Sequence, residues 1–510
     1  MAHALMDRLA TLTSWHSDWR GLRVAVLGLG VTGFAAADTL AELGADVLVV
    51  ASAASQERSR LLEVIGAELL TAPELSEPPT RLVEFDPELL VVSPGFHPDH
   101  PLLLWAEERG IEVWGDIELA WRLRDKVGTP ADWIAVTGTN GKTTTVQLTA
   151  TMLVAAGYRA APCGNIGIPV LDAIRDPQGF DVLVVELSSY QLHWVNRNVG
   201  GQLSPYSSVC LNIADDHIDW HGSAERYRDA KAKIYANTRV ACVYNRADAA
   251  TEQMVRQADV AEGARAIGFG LGVPGPSDLG IVDGILCDRA FLEDRFSTAI
   301  ELTTLEELAA AGLDAPHIVA NILAASALVR SYGVRPEIIR QSLGSFSLDA
   351  HRIQIVRQEA GIRWVDDSKA TNPHAADASL RAFDSVIWIA GGLLKGVDID
   401  ALVSRHADRL RAVVLIGVDR EALRMAFQRH APTLPLFEVD ADETRGVMPT
   451  AVRFAGQAAR AGDTVLLAPA AASMDQFADY AERGRLFASA VDEYLGGEAD
   501  DESASGGEAD

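Results

Sequence analysis

The stretch Trp133–Thr145, WIAVTGTNGKTTT, decides the fold. Ile134-Ala135-Val136 is a short apolar run that reads as the end of a buried strand. Thr137-Gly138-Thr139-Asn140-Gly141-Lys142-Thr143-Thr144 follows, and then a long stretch of helix formers. Strand, glycine loop, lysine, hydroxyl and helix together make a phosphate cradle. Glycines at 138 and 141 let backbone N–H groups approach phosphate oxygens. The start of the helix adds its own N–H groups and a partial positive charge. In this reading Gly138, Thr139, Asn140, Gly141, Lys142, Thr143 and Thr144 form a nucleotide loop. Lys142 is a mobile charge for the outer phosphates, and Thr143 offers an oxygen to magnesium. Val136 stands where a Walker A loop has its first glycine, so the spacing is a variant of that motif.

Outward from this loop, the chain repeats strand and helix patterns. Strands are expected at 182–187, 207–213 and 239–244, with shorter ones at 264–270 and 279–287, and a helix at 316–331. The strand 182–187 ends on Glu186, at the same edge of a parallel sheet as the loop, where a carboxylate can reach loop-bound magnesium. The next strand runs into Asn212-Ile213-Ala214-Asp215-Asp216-His217-Ile218-Asp219-Trp220-His221. Three aspartates and two histidines so close together point to metal or substrate contact. Lys231 and Lys233, on the helix that follows, read on their own as surface charges.

Toward the N-terminus, residues 1–20 read as a helical lead-in. Arg23–Leu27 then enters Gly28-Leu29-Gly30-Val31-Thr32-Gly33, with strands at 46–50 and 89–92 and a connector near Trp114-Gly115-Asp116. The glycines match a dinucleotide fingerprint. The acid that should close the second strand is missing, because Ala51-Ser52-Ala53 stand there, so NAD is disfavoured and another diphosphate is expected. Toward the C-terminus, strands at 362–366, 385–390, 412–416 and 464–468 form a third α/β unit. Polar loops end three of them: Asp367-Ser368-Lys369-Ala370-Thr371-Asn372, Gly391–Gly396, and Ala472–Phe477. Lys369 and Lys395 with nearby hydroxyls suit a small carboxylate ligand.

Composition bounds the rest. A chain of 510 residues is too long for one core. Its net charge of −27, from 44 basic and 71 acidic residues, argues against nucleic acid and anionic lipid as partners. No apolar run reaches membrane-spanning length, and no leader pattern opens the chain, so the expected compartment is the cytoplasm. The four cysteines lack metal-type spacing and read as core residues. The tail GGEADDESASGGEAD, 496–510, has six acids and no large apolar residue, and is expected to be disordered.

Taken together, these motifs resemble the Mur ligases, ATP-dependent amide-bond-forming enzymes of peptidoglycan synthesis. GTNGKTT at 138–144 and Glu186 are shared with the wider superfamily, including folylpolyglutamate synthetases. GNIG at 164–167, DSKATN at 367–372, SMDQF at 473–477 and Arg483-Gly484 are more specific. The resemblance implies three Rossmann-like α/β domains with mainly parallel sheets, the central one a P-loop-type ATPase fold. These are 1–115 for the UDP substrate, 116–347 for ATP and 348–495 for the incoming amino acid. It implies small-molecule substrates only, namely ATP, UDP-N-acetylmuramoyl-L-alanine and D-glutamate, with two Mg2+ ions and a monomeric enzyme.

By the same resemblance, Thr143, Glu186, His217 and a CO2-carbamylated Lys231 hold metal, and Lys142, His217 and Lys231 are catalytic. Asn165 and His217 meet the acceptor and its carboxylate. Gly30, Thr32, Ser93 and Gly95 hold its nucleotide end. Asn321, Arg352 and Asp367 meet ATP, while Lys369, Thr371, Lys395, Ser473 and Tyr480 form the D-glutamate pocket. Two departures stand out: Ile318 replaces an asparagine on the adenine side, and Ala51 replaces an aspartate near the uracil. A sister ligase with another amino acid or acceptor, a nicotinamide dehydrogenase and a non-catalytic nucleotide-binding scaffold are the competing readings. Assays with other amino acids, NAD binding and phosphate release separate them.

Overall fold

A computed structural model describes residues 8–195, 200–348, 350–440 and 444–505. Contacts gather the chain into two compact units. The first holds Met1–Ile213, Trp220–Asp314 and Ile318–Phe346; the second holds Ala214–Asp219, Ala315–His317 and Ser347–Asp510.

The first unit contains two sheets. One is a five-stranded parallel sheet of β1 (Arg23–Leu27), β2 (Asp46–Ala51), β3 (Glu68–Thr71), β4 (Leu89–Val92) and β5 (Glu112–Gly115), ordered β3-β2-β1-β4-β5. Runs such as Val-Leu-Val-Val in β2 and Leu-Leu-Val-Val in β4 are buried throughout, as expected when helices cover both faces. The expected connector at Trp114-Gly115 is the end of β5, and a helix follows at Asp116–Arg122. Of the expected lead-in helix, 8–11 is helical and 12–20 is mostly turns and bends; 1–7 lie outside the described residues.

The other sheet has nine strands: β6 (Asp132–Thr137), β7 (Ala160–Gly164), β8 (Val182–Glu186), β9 (Ser207–Cys210), β10 (Ala241–Asn245), β11 (Arg265–Phe269), β12 (Asp278–Val282), β13 (Ile285–Asp288) and β14 (Ile300–Thr304). The order is β14-β13-β12-β11-β10-β9-β6-β8-β7. Pairing is parallel from β12 to β7, and β12, β13 and β14 pair antiparallel. Because β6 lies between β8 and β9, the glycine loop leaves a strand flanked on both sides by other loop-bearing strand ends. Val136 faces Glu186 in register, and Thr137 faces Cys210. All four cysteines are buried in or at the ends of β7, β9, β10 and β13.

The second unit holds a six-stranded sheet, β15 (Gln354–Glu359), β16 (Ile362–Asp366), β17 (Val386–Gly391), β18 (Leu410–Ile416), β19 (Leu436–Glu438) and β20 (Thr464–Leu467), ordered β15-β16-β20-β17-β18-β19. Only β15 runs antiparallel to its neighbour. The strands absent from the sequence reading are β3, β5, β7, β14, β15 and β19. Most of these are short, carry a proline or glycine, or have an exposed face, so their apolar pattern is weak.

The helix that opens at Tyr480 runs on to Ser505. Extending a preformed helix through alanine and glutamate is far easier than nucleating one. Residues 506–510 lie outside the described residues.

Candidate active site

The glycine loop is held open by its own backbone. Gly138 has φ +150° and Gly141 has φ +83°, and Gly141 caps the helix Lys142–Ala155. A Cβ on Gly141 would lie 2.4 Å from Asn321 Oδ1, so the helix Pro316–Ser331 closes against the loop there. On the other side Asn212, just past β9, bonds the loop three times. The Thr139 N–H donates to Asn212 O at 2.9 Å, the Asn140 N–H to Asn212 Oδ1 at 2.8 Å, and Asn212 Nδ2 to Asn140 O at 3.1 Å. Lys142 Nζ rests on the carbonyls of Gly138 and Thr139, both at 3.0 Å.

Glu186, at the tip of β8, is 1 % exposed. Its Oε1 accepts from Asn165 Nδ2 at 3.0 Å, and its Oε2 is buried with no hydrogen-bond partner. The close approach depends on Gly164, where a Cβ would lie 2.4 Å from the Glu186 carbonyl oxygen. A buried carboxylate oxygen without a donor is costly unless something positive meets it. With Thr143 in the first turn of the helix after the loop the donors are all oxygen, which suits a hard cation such as Mg2+. Among the described residues no group of three or more His, Cys, Asp or Glu could hold a metal. Magnesium is bound through one or two carboxylates plus phosphate oxygens and water, and Glu186 supplies one such carboxylate.

The acidic and histidine-rich stretch 212–221 divides. Trp220 and His221 pack in the first unit, where the His221 ring meets the Tyr227 ring edge-on at 5.4 Å. His217 groups with the second unit; it adopts φ +52°, and its N–H donates to Asp216 Oδ1 at 3.0 Å.

The reading of Lys231 and Lys233 as surface charges is overturned. Lys231 is 2 % exposed and donates to Gly138 O at 2.9 Å and Thr137 Oγ1 at 3.3 Å. Its ammonium sits 5.0 Å from the Tyr227 ring, and the Tyr227 hydroxyl is 2.9 Å from Thr139 Oγ1. Tyr227 and Lys231 are four residues apart on the helix Ala224–Ala232, so they share one face. That spacing is a signal in the sequence that could have tied Tyr227 to the site. Lys233 Nζ donates to the carbonyls of His193 and Val195.

The first glycine loop lines a cavity of about 540 Å³ with Ala51, Ser52, Gly95, Phe96 and His100 among its walls. Gly30 and Gly95 belong to its lining, Thr32 lies in the first turn of the helix that Gly30 caps, and Ser93 Oγ is buried nearby without a partner. Gly33 is required because a Cβ would lie 2.1 Å from Gly28 O. Ala51 offers this cavity no carboxylate.

In the second unit the loops after β16, β17 and β20 share one sheet edge, the place where parallel sheets bind ligands. Lys369 Nζ lies 5.2 Å from the Tyr480 ring, and its N–H donates to His351 O at 3.2 Å. Thr371 N–H bonds Lys369 O at 2.9 Å. Ser473 is 4 % exposed, and Lys395 adopts φ +54°. The loop is anchored by a network absent from the sequence reading. Buried Arg483 donates to Ser368 Oγ and Ser368 O, Ser368 Oγ donates to Tyr480 O, and His351 Nδ1 pairs with Asp366 Oδ2 at 2.6 Å. A Cβ on Gly484 would strike His351 Nδ1 at 2.1 Å, so a glycine is needed at that position.

Asp367 turns inward, where it accepts from Ser379 Oγ and from the Ile353 N–H at 3.2 Å. Burial pushes its carboxyl up to about 6, against the pull of the Ser379 hydroxyl and the Arg352 charge. Burial, helped by the Arg352 charge, lowers His317 to about 4. The folded chain therefore holds the Asp367 proton more tightly than the unfolded one. Its contribution to stability is fully present below pH 3.8 and is lost as pH rises through about 6. The melting temperature of the parent chain should fall relative to Asp367→Asn between pH 4 and pH 7. A constant difference across that range would show that the carboxyl is not held protonated.

Three family profiles match in order along the chain. They are the Mur ligase MurD-like N-terminal domain over residues 22–115, the Mur ligase middle domain over 136–329, and the Mur ligase glutamate ligase domain over 351–471. The chain belongs to the Mur ligase family. Among its relatives is the UDP-N-acetylmuramoylalanine–D-glutamate ligase of Leifsonia xyli subsp. xyli, 75 % identical over 503 residues, covering 98 % of this chain and 97 % of that one. The protein of the same name from Streptomyces avermitilis is 53 % identical over 479 residues, covering 93 % and 99 %. The crystal structure of UDP-N-acetylmuramate-alanine ligase MurC from Thermotoga maritima shares the fold. Its TM-score is 0.53 at 19 % identity, with 93 % of this chain and 99 % of that one covered.

Proposed function

We propose that this chain is an ATP-dependent ligase that joins D-glutamate to UDP-N-acetylmuramoyl-L-alanine in the making of peptidoglycan precursors. The observation that carries this is the glycine loop on β6 beside Glu186 on β8, whose Oε2 is buried and without a hydrogen bond. The names of the relatives at 75 % and 53 % identity supply the two substrates. The division proposed is 1–115 for the UDP substrate, 116–347 for ATP and 348–495 for the amino acid. The enzyme acts as a monomer in the cytoplasm.

ATP phosphorylates the acceptor carboxylate, which turns oxide, a poor leaving group, into phosphate, a good one. The D-glutamate amine then attacks the acyl carbon, loses a proton, and phosphate leaves. Lys142 moves from its loop carbonyls to the transferring phosphoryl group and offsets its charge. Thr143 and Glu186 would hold magnesium, which would supply positive charge to offset that of the phosphate oxygens. Asn165 fixes the Glu186 carboxylate, and His217 contacts the acceptor. Lys369, Thr371, Lys395, Ser473 and Tyr480 receive the carboxylates of D-glutamate, and Asn321, Arg352 and Asp367 border the nucleotide.

Lys231 carries a carbamate in this reading. Its neutral amine forms an N–C bond to CO2 and releases a proton, and the remaining N–H keeps the bond to Gly138 O. The cation becomes an anion able to help hold a second magnesium ion. Lys231→Ala is expected to lose ligation almost completely and to regain part of it with millimolar short carboxylic acids. Full activity of the plain variant would remove the carbamate.

The function itself is tested by phosphate release from ATP with every pairing of acceptor and amino acid. Release is expected only with UDP-N-acetylmuramoyl-L-alanine and D-glutamate together. Preference for another amino acid or acceptor would make the chain a sister ligase.

A further inference from the structure

We infer that Asn212 is a positioning residue for the nucleotide, one that selects which amides of the glycine loop are presented to phosphate. The inference rests on the ATP-ligase reading and adds a residue to which that reading gives no role.

The loop has a run of backbone N–H groups, and their directions decide what it can bind. Asn212 takes two of them. Its main-chain oxygen accepts from Thr139 N–H and its Oδ1 from Asn140 N–H, at 2.9 and 2.8 Å. Its Nδ2 closes the ring by donating to Asn140 O at 3.1 Å. The apex residue of the loop is thus held through both its N–H and its C=O by one primary amide, an arrangement that fixes a peptide plane as well as a distance. The helix makes its first internal bond from Thr145 N–H to Gly141 O, so the amides before it are not used within the helix. Two amides face the scaffold, and those after them are left for an anion.

The amide cannot be replaced by its near-isosteres. Alanine leaves Asn140 N–H and O to water and frees the loop apex. Aspartate keeps an acceptor for Asn140 N–H but sets a carboxylate oxygen against Asn140 O, two acceptors face to face. It also brings an anion toward the phosphate site. Asn212 is itself held from below, because Asn245 Nδ2 donates to Leu211 O at 2.9 Å and Ile213 N–H to Asp248 Oδ2 at 2.7 Å. Its side chain is therefore a fixed reference for the loop.

The experiment uses the full-length protein as wild type, Asn212→Ala and Asn212→Asp. It records KM for ATP, D-glutamate and UDP-N-acetylmuramoyl-L-alanine, calorimetric affinity for ADP with Mg2+, and melting temperature. KM for ATP and the ADP dissociation constant should rise roughly tenfold in Asn212→Ala, the scale of a lost buried polar contact, and further in Asn212→Asp. KM for D-glutamate should not change. Lowering pH should recover ADP affinity in Asn212→Asp relative to wild type, because a protonated carboxyl again donates to Asn140 O. Unchanged ADP affinity, or equal rises in all three KM values with a lower melting temperature, would overturn the inference and leave Asn212 with a purely structural role. Failure of wild type to release phosphate with any substrate pair would overturn the ligase reading as well.

Discussion

Lys142→Ala is expected to lower kcat/KM for ligation by roughly 10²–10³-fold, the scale seen when one charge-stabilising donor leaves a transition state. The side chain has two tasks. In the structure its ammonium lies on the carbonyls of Gly138 and Thr139, each at 3.0 Å, which neutralises the inward-facing oxygens of the loop. On the proposed function the same charge is expected to transfer to the outer phosphates of a bound nucleotide, where no neighbouring side chain on the loop offers another. Alanine removes both functions, so kcat should fall as well as KM rise. Steady-state phosphate release checks the rate, and a thermal melt shows whether the fold survives. Activity near wild type would remove the phosphate assignment of the loop.

Gly391→Ala should cost more than about 4 kcal/mol of stability and leave the second unit unable to fold at 37 °C. A Cβ there would lie 1.9 Å from the carbonyl oxygen of Ile416, in a backbone with φ +125°. Backbone of a neighbouring strand cannot rotate away as a side chain can. Gly392 is no freer, since its Cβ would lie 2.2 Å from Ala472 O. Gly396 supplies the control. Its φ is +73°, but a Cβ would meet nothing, so Gly396→Ala should lose only about 1–2 kcal/mol from the left-handed backbone alone. Circular dichroism melts of the two variants decide the matter. A Gly391→Ala melt like that of Gly396→Ala would show that β17 and β18 adjust to the added carbon.

Much of the site was legible because its determinants are local. The glycines, Lys142 and Thr143 lie within a few residues of each other, and the strand before and helix after them carry strong patterns. Glu186 could be placed because parallel strands bring their C-terminal ends to one edge. What escaped was set by register across long separations. Asn212 bonds Asn140 across 72 residues. The Gly484–His351–Asp366 contact joins a late helix to the end of β16. The histidine and aspartate stretch divides between the two units, 214–219 in one and Trp220 and His221 in the other, a division that residue density along the chain does not reveal. Asp367 shows the same limit at the scale of one side chain, since only packing reveals that it turns toward Ser379.

The cysteines give this molecule a built-in reporter. Burial pushes the Cys210 thiol up to about 12 and Cys242 to about 11, and raises Cys163 and Cys287 as well. A thiol that is neither ionised nor accessible does not react, so an alkylating reagent waits for the strands to part. All four sit on the nine-stranded sheet and none on the other two. The labelling rate of the unmodified protein therefore times the opening of that sheet alone, and a bound nucleotide should slow it.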